Sequence, residues 1–107
     1  MRSEPGSLGL HLTEAQFDEV RAILARVVPE ATVWAFGSRV HGRNLKPFSD
    51  LDLAIVDSAR LVPGSMANLQ SAFADSDLPF RVDLVELDRV EDAFRDRIEA
   101  EHRQLRP

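Results

Sequence analysis

The sequence predicts a single α/β domain, with a small mixed sheet flanked by helices. Short β-branched and aromatic runs alternate with longer segments that carry apolar residues at helical spacing, and one of the strands is apolar on both faces. Their order along the chain is α-β-α-β-α-β-α. Residues 1–11 contain glycine, serine and proline without a period and are expected to form a flexible leader, so the domain is assigned to residues 12–107.

A helix and a strand are predicted to open the domain. Thr13 and Gln16 have the spacing of a capping box, in which each side chain satisfies a backbone amide at the start of a helix. Apolar residues then recur on one helical face until Pro29 stops the helix. Segment 31–36, ATVWAF, is β-branched and aromatic and indicates the first strand.

The central strand is predicted over residues 50–56, DLDLAIV. Before it, Gly37 and Ser38 end the first strand and open a very short helix that Gly42 terminates. Beyond Asp52 both faces of the central strand are apolar, as expected for a strand that is covered on both sides.

The second half of the chain is expected to add a helix at 65–75, a strand at 80–87 and a last helix at about 89–103. On the last helix, Glu99 and Arg103 are placed as an exposed pair of opposite charge, four residues apart.

Composition narrows the possible functions. The net charge of -5 argues against general nucleic-acid binding through a basic field. The chain has no cysteine, which excludes disulfides and thiolate metal sites and fits a reducing compartment. No apolar run approaches the length of a membrane span. A cytoplasmic protein without a membrane segment is therefore expected.

Two acids mark the entrance of the central strand. Asp50 and Asp52 alternate with a leucine, so both side chains are expected on one side of the strand. Two carboxylates about 5 Å apart repel each other by roughly 3 kcal/mol at an effective dielectric constant near 20. The charge could be balanced by Arg39, Arg43 or Lys46, or by a divalent cation, which convergent carboxylates bind well.

A third acid favours the cation. Asp83 lies between Val82 and Leu84 in the predicted third strand, where an acid needs a partner. If the third strand neighbours the second, Asp83 can join the pair in a three-carboxylate cluster, which suits two Mg²⁺ ions and phosphoryl or nucleotidyl transfer. Gly37 and Ser38 add a backbone turn and a hydroxyl suited to an anionic phosphate oxygen.

The ordered combination of these features resembles the minimal nucleotidyltransferase family, the smallest members of the DNA polymerase beta-like superfamily. The resemblance covers nearly the whole chain from Thr13 onwards and is strongest through 33–56 and 79–86. The family signature is Gly-Ser, about ten residues, Asp-x-Asp, and a third acid on a later strand. In this chain the two ends of the first interval are Ser38 and Asp50, and eleven residues separate them, one more than usual.

The resemblance implies a polymerase beta-like nucleotidyltransferase fold, ATP or another nucleoside triphosphate as donor, and two Mg²⁺ ions. It assigns Asp50, Asp52 and Asp83 to metal binding and catalysis, and the third acid also helps to deprotonate the acceptor hydroxyl. The phosphate-binding residues that it implies are Gly37 and Ser38; the adjacent Arg39 is a further candidate for a triphosphate contact and, as an alternative, a surface arginine.

The family also implies a partner. Many members are encoded beside a small helical protein of the HEPN type, and some transfer AMP to a tyrosine of that partner and so silence a ribonuclease toxin. An adenylyltransferase that acts as the antitoxin of such a pair is therefore the main hypothesis. The alternatives are an antitoxin that neutralises its partner by occlusion without catalysis, and a nucleotide-sensing module.

Two residues near the motif are interpreted structurally. His41 has no neighbours at metal-ligand spacing, so a solvent-facing turn position is favoured over a catalytic role. Trp34 lies on a predicted strand and is assigned to the core rather than to base stacking.

Overall fold

A computed structural model, which describes residues 9–106, has the small mixed α/β architecture predicted above. Its helices and strands, in chain order, are α1 (Glu14–Val27), β1 (Val33–Phe36), α2 (Ser38–His41), β2 (Leu51–Ile55), α3 (Ser65–Ala74), β3 (Val82–Glu86), α4 (Asp92–Ala100) and β4 (Arg103–Arg106). Two short 3-10 turns, Ser58–Arg60 and Leu87–Arg89, lead into α3 and α4. None of the described helices is long and apolar enough to cross a membrane.

The start of α1 is fixed by the predicted capping box. The Thr13 hydroxyl accepts a hydrogen bond from the backbone amide of Gln16 at 3.1 Å, and the Gln16 side chain accepts one from the amide of Thr13 at 3.0 Å. Two amides that have no partner within the helix are thereby satisfied. The helix then buries Phe17, Val20 and Leu24 against the sheet.

The four strands form one sheet in the order β3-β2-β1-β4. β1 pairs antiparallel with β2 on one side and with β4 on the other, whereas β2 and β3 run parallel. The parallel pair requires a long crossover, which α3 provides. This order puts the two motif-bearing strands, β2 and β3, next to each other.

β2 is apolar on both faces, as predicted. Leu51, Leu53 and Ile55 are fully buried in the cluster that α1 and α3 cover. Ala54 faces the other way and belongs to a smaller cluster that includes Ile98 of α4. Because side chains alternate along a strand, Asp52 shares the face of Ala54, and the acid therefore points to the side of the sheet that α4 covers.

The predicted last helix is wrong at its C-terminal end. α4 stops at Ala100, and Arg103–Arg106 forms a strand instead of a final helical turn. Pairing with β1 explains the change, because it satisfies a sheet edge that would otherwise expose unpaired backbone groups. Arg103 therefore lies in β4, and the predicted helical pair between Glu99 and Arg103 does not form.

The predicted leader is only partly described. Residues 1–8 lie outside the described residues. Leu10, by contrast, is buried in the main cluster, and the backbone amide of His11 donates a hydrogen bond to the carbonyl of Arg39 at 2.7 Å. The end of the predicted leader is therefore packed into the domain, because it covers apolar surface beside α2.

Candidate active site

Two of the three predicted acids lie side by side. Asp52 of β2 and Asp83 of β3 are register partners in the parallel pair. Neighbouring strands are about 4.8 Å apart, and side chains at partnered positions of a parallel pair leave the sheet on the same face. Both carboxylates line one cleft, so β2 and β3 bring them together as the sequence predicted.

Gly37 lies directly against Asp52. The glycine has φ 81° and ψ −159°, a conformation that is essentially restricted to glycine. A methyl group added at this position would collide with Oδ2 of Asp52 and lie 3.2 Å from its Cγ. The turn between β1 and α2 therefore needs glycine for its backbone and for the room that the carboxylate occupies.

Asp52 is the electrostatic centre of the site. Burial, which is the largest cause, and the nearby negative charges of Asp83 and Asp50 together raise the pKa of its carboxyl to about 6. Both causes disfavour the ionised form, because a buried charge loses hydration and like charges repel. Any cation that binds between these carboxylates removes the repulsion.

Asp50 is placed differently from the other two acids. It immediately precedes β2 and is not among the residues that line the cleft. Its carboxylate lies 3.6 Å from the guanidinium of Arg81, whose side chain is 80% exposed. Asp50 is still close enough to raise the pKa of Asp52.

The cleft between the sheet and α4 has a volume of about 480 Å³. Cavities of this size accept ligands as large as nucleotides. Phe36, Val85, Phe94 and Ile98 form its apolar wall. The other lining residues are Gly37 and the polar side chains of His41, Arg43, Asp52, Asp83, Arg97 and Glu101. The two acids thus lie at one end of a cavity with both an apolar wall and cationic side chains.

The predicted phosphate-binding residues do not all reach the cleft. Gly37 lines it, while Ser38, the first residue of α2, is half-buried and is not among the lining residues. Arg39 is also absent from the lining; it is 5% exposed, and its guanidinium donates to backbone carbonyls. The structure therefore gives no support to a triphosphate contact by Arg39. The alternative, that Arg39 is a surface arginine, is wrong because the residue is buried.

Several cleft residues were not assigned to the site from the sequence, and for His41 the prediction of a solvent-facing turn position is wrong. His41 is half-buried and lines the cleft instead of facing solvent, and its Nδ1 lies 2.9 Å from the backbone amide of Arg43, which donates to it. Arg43 in turn forms an ion pair with Glu101 at 2.9 Å, which lowers the pKa of that glutamate. The spacing of His41 from Gly37, four residues along a helix, could have revealed that both share one face.

The acids do not form a ready metal site. In the part of the chain that the structure describes, no group of three or more His, Cys, Asp and Glu side chains is arranged to hold a metal ion. The donor chemistry nevertheless suits a hard divalent cation, because Asp52 and Asp83 supply carboxylate oxygens that repel each other.

The family model for polymerase beta nucleotidyltransferases matches residues 19–106, which include every strand of the sheet and both aspartates of the cleft. The chain belongs to the polymerase beta nucleotidyltransferase family. The resemblance found in the sequence is confirmed, and the chain is a nucleotidyltransferase.

Two known proteins, one compared by sequence and one by structure, are similar to this nucleotidyltransferase. The probable protein adenylyltransferase MntA of Haemophilus influenzae is 48% identical over 77 residues, which are 72% of this chain and 67% of that protein. A crystal structure of a toxin–antitoxin with AMP-PNP contains a chain that is 25% identical, with a TM-score of 0.64 over 82% of this chain and 70% of its own. Within the family, the chain is therefore similar to a probable protein adenylyltransferase.

Proposed function

We propose that this nucleotidyltransferase transfers AMP from ATP to a hydroxyl group of a partner protein. The observation that carries the proposal is the register pairing of Asp52 with Asp83, beside Gly37 and at one end of a cleft that can hold a nucleotide. The similarity to a probable protein adenylyltransferase supports AMP as the transferred group and a protein as the acceptor. The similar chain from a structure with AMP-PNP supports ATP as the donor.

In the proposed reaction, Gly37 and Ser38 bind the phosphates and Asp83 accepts a proton. Gly37, which lines the cleft, lets the phosphates approach the backbone at the start of α2. Ser38 lies outside the cleft lining, so its hydroxyl must turn towards the cleft to hold a phosphate oxygen. Asp83 accepts the proton of the acceptor hydroxyl. The acceptor oxygen then forms a bond to the α-phosphorus while the bond from that phosphorus to the bridging oxygen breaks, and pyrophosphate leaves.

Mg²⁺ is part of the proposal. Asp50, Asp52 and Asp83 would hold two ions, which neutralise the triphosphate and lower the barrier to attack at the α-phosphorus. For this, Asp50 must leave Arg81. Their ion pair is long, at 3.6 Å, and largely exposed, and such pairs contribute about 0–1 kcal/mol, so a divalent cation competes easily for the carboxylate.

We further propose that the acceptor is a HEPN-type toxin and that adenylylation makes this chain its antitoxin. The likeness to a chain of a solved toxin–antitoxin supports a paired role, and the family resemblance supplies the HEPN identity. A cytoplasmic location is proposed with it, in keeping with the absence of cysteine.

The decisive experiment co-expresses the chain with the protein encoded beside it and measures the intact mass of that protein. One added AMP is expected, and in vitro the transfer of labelled AMP is expected to require Mg²⁺. The Asp50→Asn, Asp52→Asn double variant should abolish the transfer, whereas Asp96→Asn, at an exposed position of α4, should leave it intact. Transfer that survives the double variant contradicts the mechanism.

Two further measurements, of neutralisation by a triple variant and of ATP binding by the wild-type chain, separate the alternatives. If a variant with all three acids changed to Asn still neutralises the partner, the chain acts by occlusion. If ATP binds to the wild-type chain but no AMP reaches any protein, the chain is a nucleotide sensor.

A further inference from the structure

Arg39 is the most completely bonded charged side chain near the site, and the nucleotidyl-transfer chemistry leaves it without a role. Its guanidinium is buried and donates four hydrogen bonds to three backbone carbonyls: Nε and Nη2 to Ser49 at 3.1 and 2.9 Å, Nη2 to Pro47 at 3.0 Å, and Nη1 to His11 at 2.9 Å. The Cζ atom of the guanidinium also lies 4.3 Å from the centre of the Phe80 ring.

These contacts join three parts of the site that are distant in sequence. Arg39 itself lies in α2, the helix that begins at Gly37. Ser49, which it holds, immediately precedes Asp50. Phe80, on which it packs, immediately precedes Arg81, the ion-pair partner of Asp50. A single side chain thus connects the helix beside the cleft with the segment that carries the first acid.

The segment held by Arg39 is a defined turn. The amide of Ser49 donates to the carbonyl of Lys46 at 3.0 Å, and the amide of Lys46 donates to the Ser49 hydroxyl at 2.9 Å. Just beyond the turn, the amide of Leu51 donates to the carbonyl of Arg81 at 2.9 Å. Hydrogen bonds from a charged donor are stronger than those between neutral groups, so Arg39 adds its strongest contacts to a turn that is already closed by its own hydrogen bonds.

We propose that Arg39 is a positioning residue for nucleotidyl transfer, which fixes Asp50 relative to α2 by clamping the turn at residues 46–49. The inference rests on the proposed function, since it concerns the same three acids. Arg39 does not contact the nucleotide: the guanidinium is spent on backbone carbonyls and does not line the cleft. Its substitution therefore acts on the placement of Asp50 and leaves direct contacts to ATP in place.

The test uses Arg39→Lys and Arg39→Met in the full chain. Lysine keeps the charge but cannot reproduce the planar set of donors, and methionine removes the charge. Arg21→Lys is the matched control. The Arg21 guanidinium also lies over an aromatic ring, 5.6 Å from the centre of the Phe17 ring, but Arg21 is an exposed residue of α1. Circular dichroism and the emission of Trp34, the single tryptophan, establish that each variant is folded.

Three readouts are compared with the wild type. In both Arg39 variants, backbone hydrogen exchange over residues 46–51 is expected to rise about tenfold while α3 keeps its protection. The Mg²⁺ concentration needed for AMP-PNP binding is expected to rise about tenfold. In the transfer assay kcat should fall by about tenfold to a hundredfold with KM for ATP changed less than about threefold, because a small misplacement of a catalytic group costs rate more than binding.

Each contrary result overturns the inference. A raised KM for ATP with kcat retained makes Arg39 a phosphate ligand. Unchanged exchange over residues 46–51, or unchanged Mg²⁺ dependence, shows that the clamp does not hold Asp50. If the wild-type chain transfers no AMP, the proposed function fails separately, and the exchange and Mg²⁺ readouts still decide the role of Arg39.

Discussion

Changing Asp52 to Asn is expected to stabilise the folded chain while removing its activity. The carboxyl of Asp52 is half-buried and has two acidic neighbours, and these raise its pKa from 3.8 to about 6. The ionised form is therefore less favourable in the folded state than in the unfolded one. An amide of nearly the same shape carries no charge and avoids this penalty.

The size of the effect follows from the two pKa values. A pKa difference of one corresponds to about 1.4 kcal/mol, so the rise from 3.8 to about 6 sets an upper limit of about 3 kcal/mol at neutral pH. Solvent reaches part of the carboxylate and screens its interactions, which reduces the expected gain to about 1–2 kcal/mol. For a domain of this size the gain raises Tm by roughly 5–15 °C.

The gain depends on pH in a defined direction. Because the folded pKa lies above the unfolded one, the carboxyl favours folding fully only below about pH 3.8, and this contribution is lost as the pH rises through about 6. Urea unfolding of wild type and Asp52→Asn at pH 7.5 and pH 4, without divalent cations, is the assay. The variant should be the more stable protein at pH 7.5, and most of the difference should vanish at pH 4.

Asp96→Asn is the control, since this exposed aspartate of α4 does not line the cleft and its substitution should change stability by less than about 0.5 kcal/mol. The reasoning is refuted if Asp52→Asn is no more stable than wild type at pH 7.5. A gain of equal size at both pH values would also refute it, because the cause would then not be the charge of Asp52.

Three further expectations concern the site and its frame. Gly37→Ala should lower the free energy of unfolding by about 1–3 kcal/mol and abolish transfer, because the added methyl group meets Asp52 in a conformation restricted to glycine. The control Gly64→Ala, at φ 90° with open space around it, should lower that free energy by about 1 kcal/mol and leave the specific activity unchanged. Urea unfolding and the transfer assay measure the two effects. At limiting Mg²⁺, log kcat/KM should rise with pH until about 6, as Asp52 ionises, and level off above; a profile that is flat from pH 5 to 7 would exclude Asp52 as the titrating ligand. His102→Ala should shift the fluorescence emission of Trp34 to longer wavelength and lower the free energy of unfolding by about 0.5–1.5 kcal/mol, because the two rings are stacked with their centres 3.9 Å apart and their planes at 22°. Unchanged emission would show that the stack does not shield the indole.

Local rules in the sequence predicted much of the fold. The capping box at Thr13, the short helix between Gly37 and Gly42, and the two apolar faces of β2 depend on neighbours within a few residues, and all are present in the structure. The adjacency of β2 and β3 could only be stated as a condition, because strand pairing is a long-range choice.

β4 could not be recognised from its own residues. The segment is short and polar. Just before it, Phe94 and Ile98 are four residues apart, as on one face of a helix, so a helix that continued through the segment was the simpler interpretation. What turns it into a strand is the open edge of β1, a partner about 70 residues away in sequence. Local propensity is a weak guide where such a partner exists.

The role of Arg39 was hidden for a similar reason. A positively charged residue next to a Gly-Ser pair fits an anionic ligand, and no sequence pattern shows that three backbone carbonyls, one from His11 and two from the turn at residues 46–49, converge on it. The separate position of Asp50 also depends on a distant residue, Arg81, which the spacing of the two acids does not reveal.

Parallel pairing of β2 with β3 also determines when the chain becomes competent during its synthesis. A ribosome releases Asp52 well before Asp83, and α3 must be complete before β3 can dock alongside its neighbour. Until then the nascent protein lacks one of the two aspartates of its cleft. The aspartate pair therefore exists only in molecules in which β3 has paired with β2.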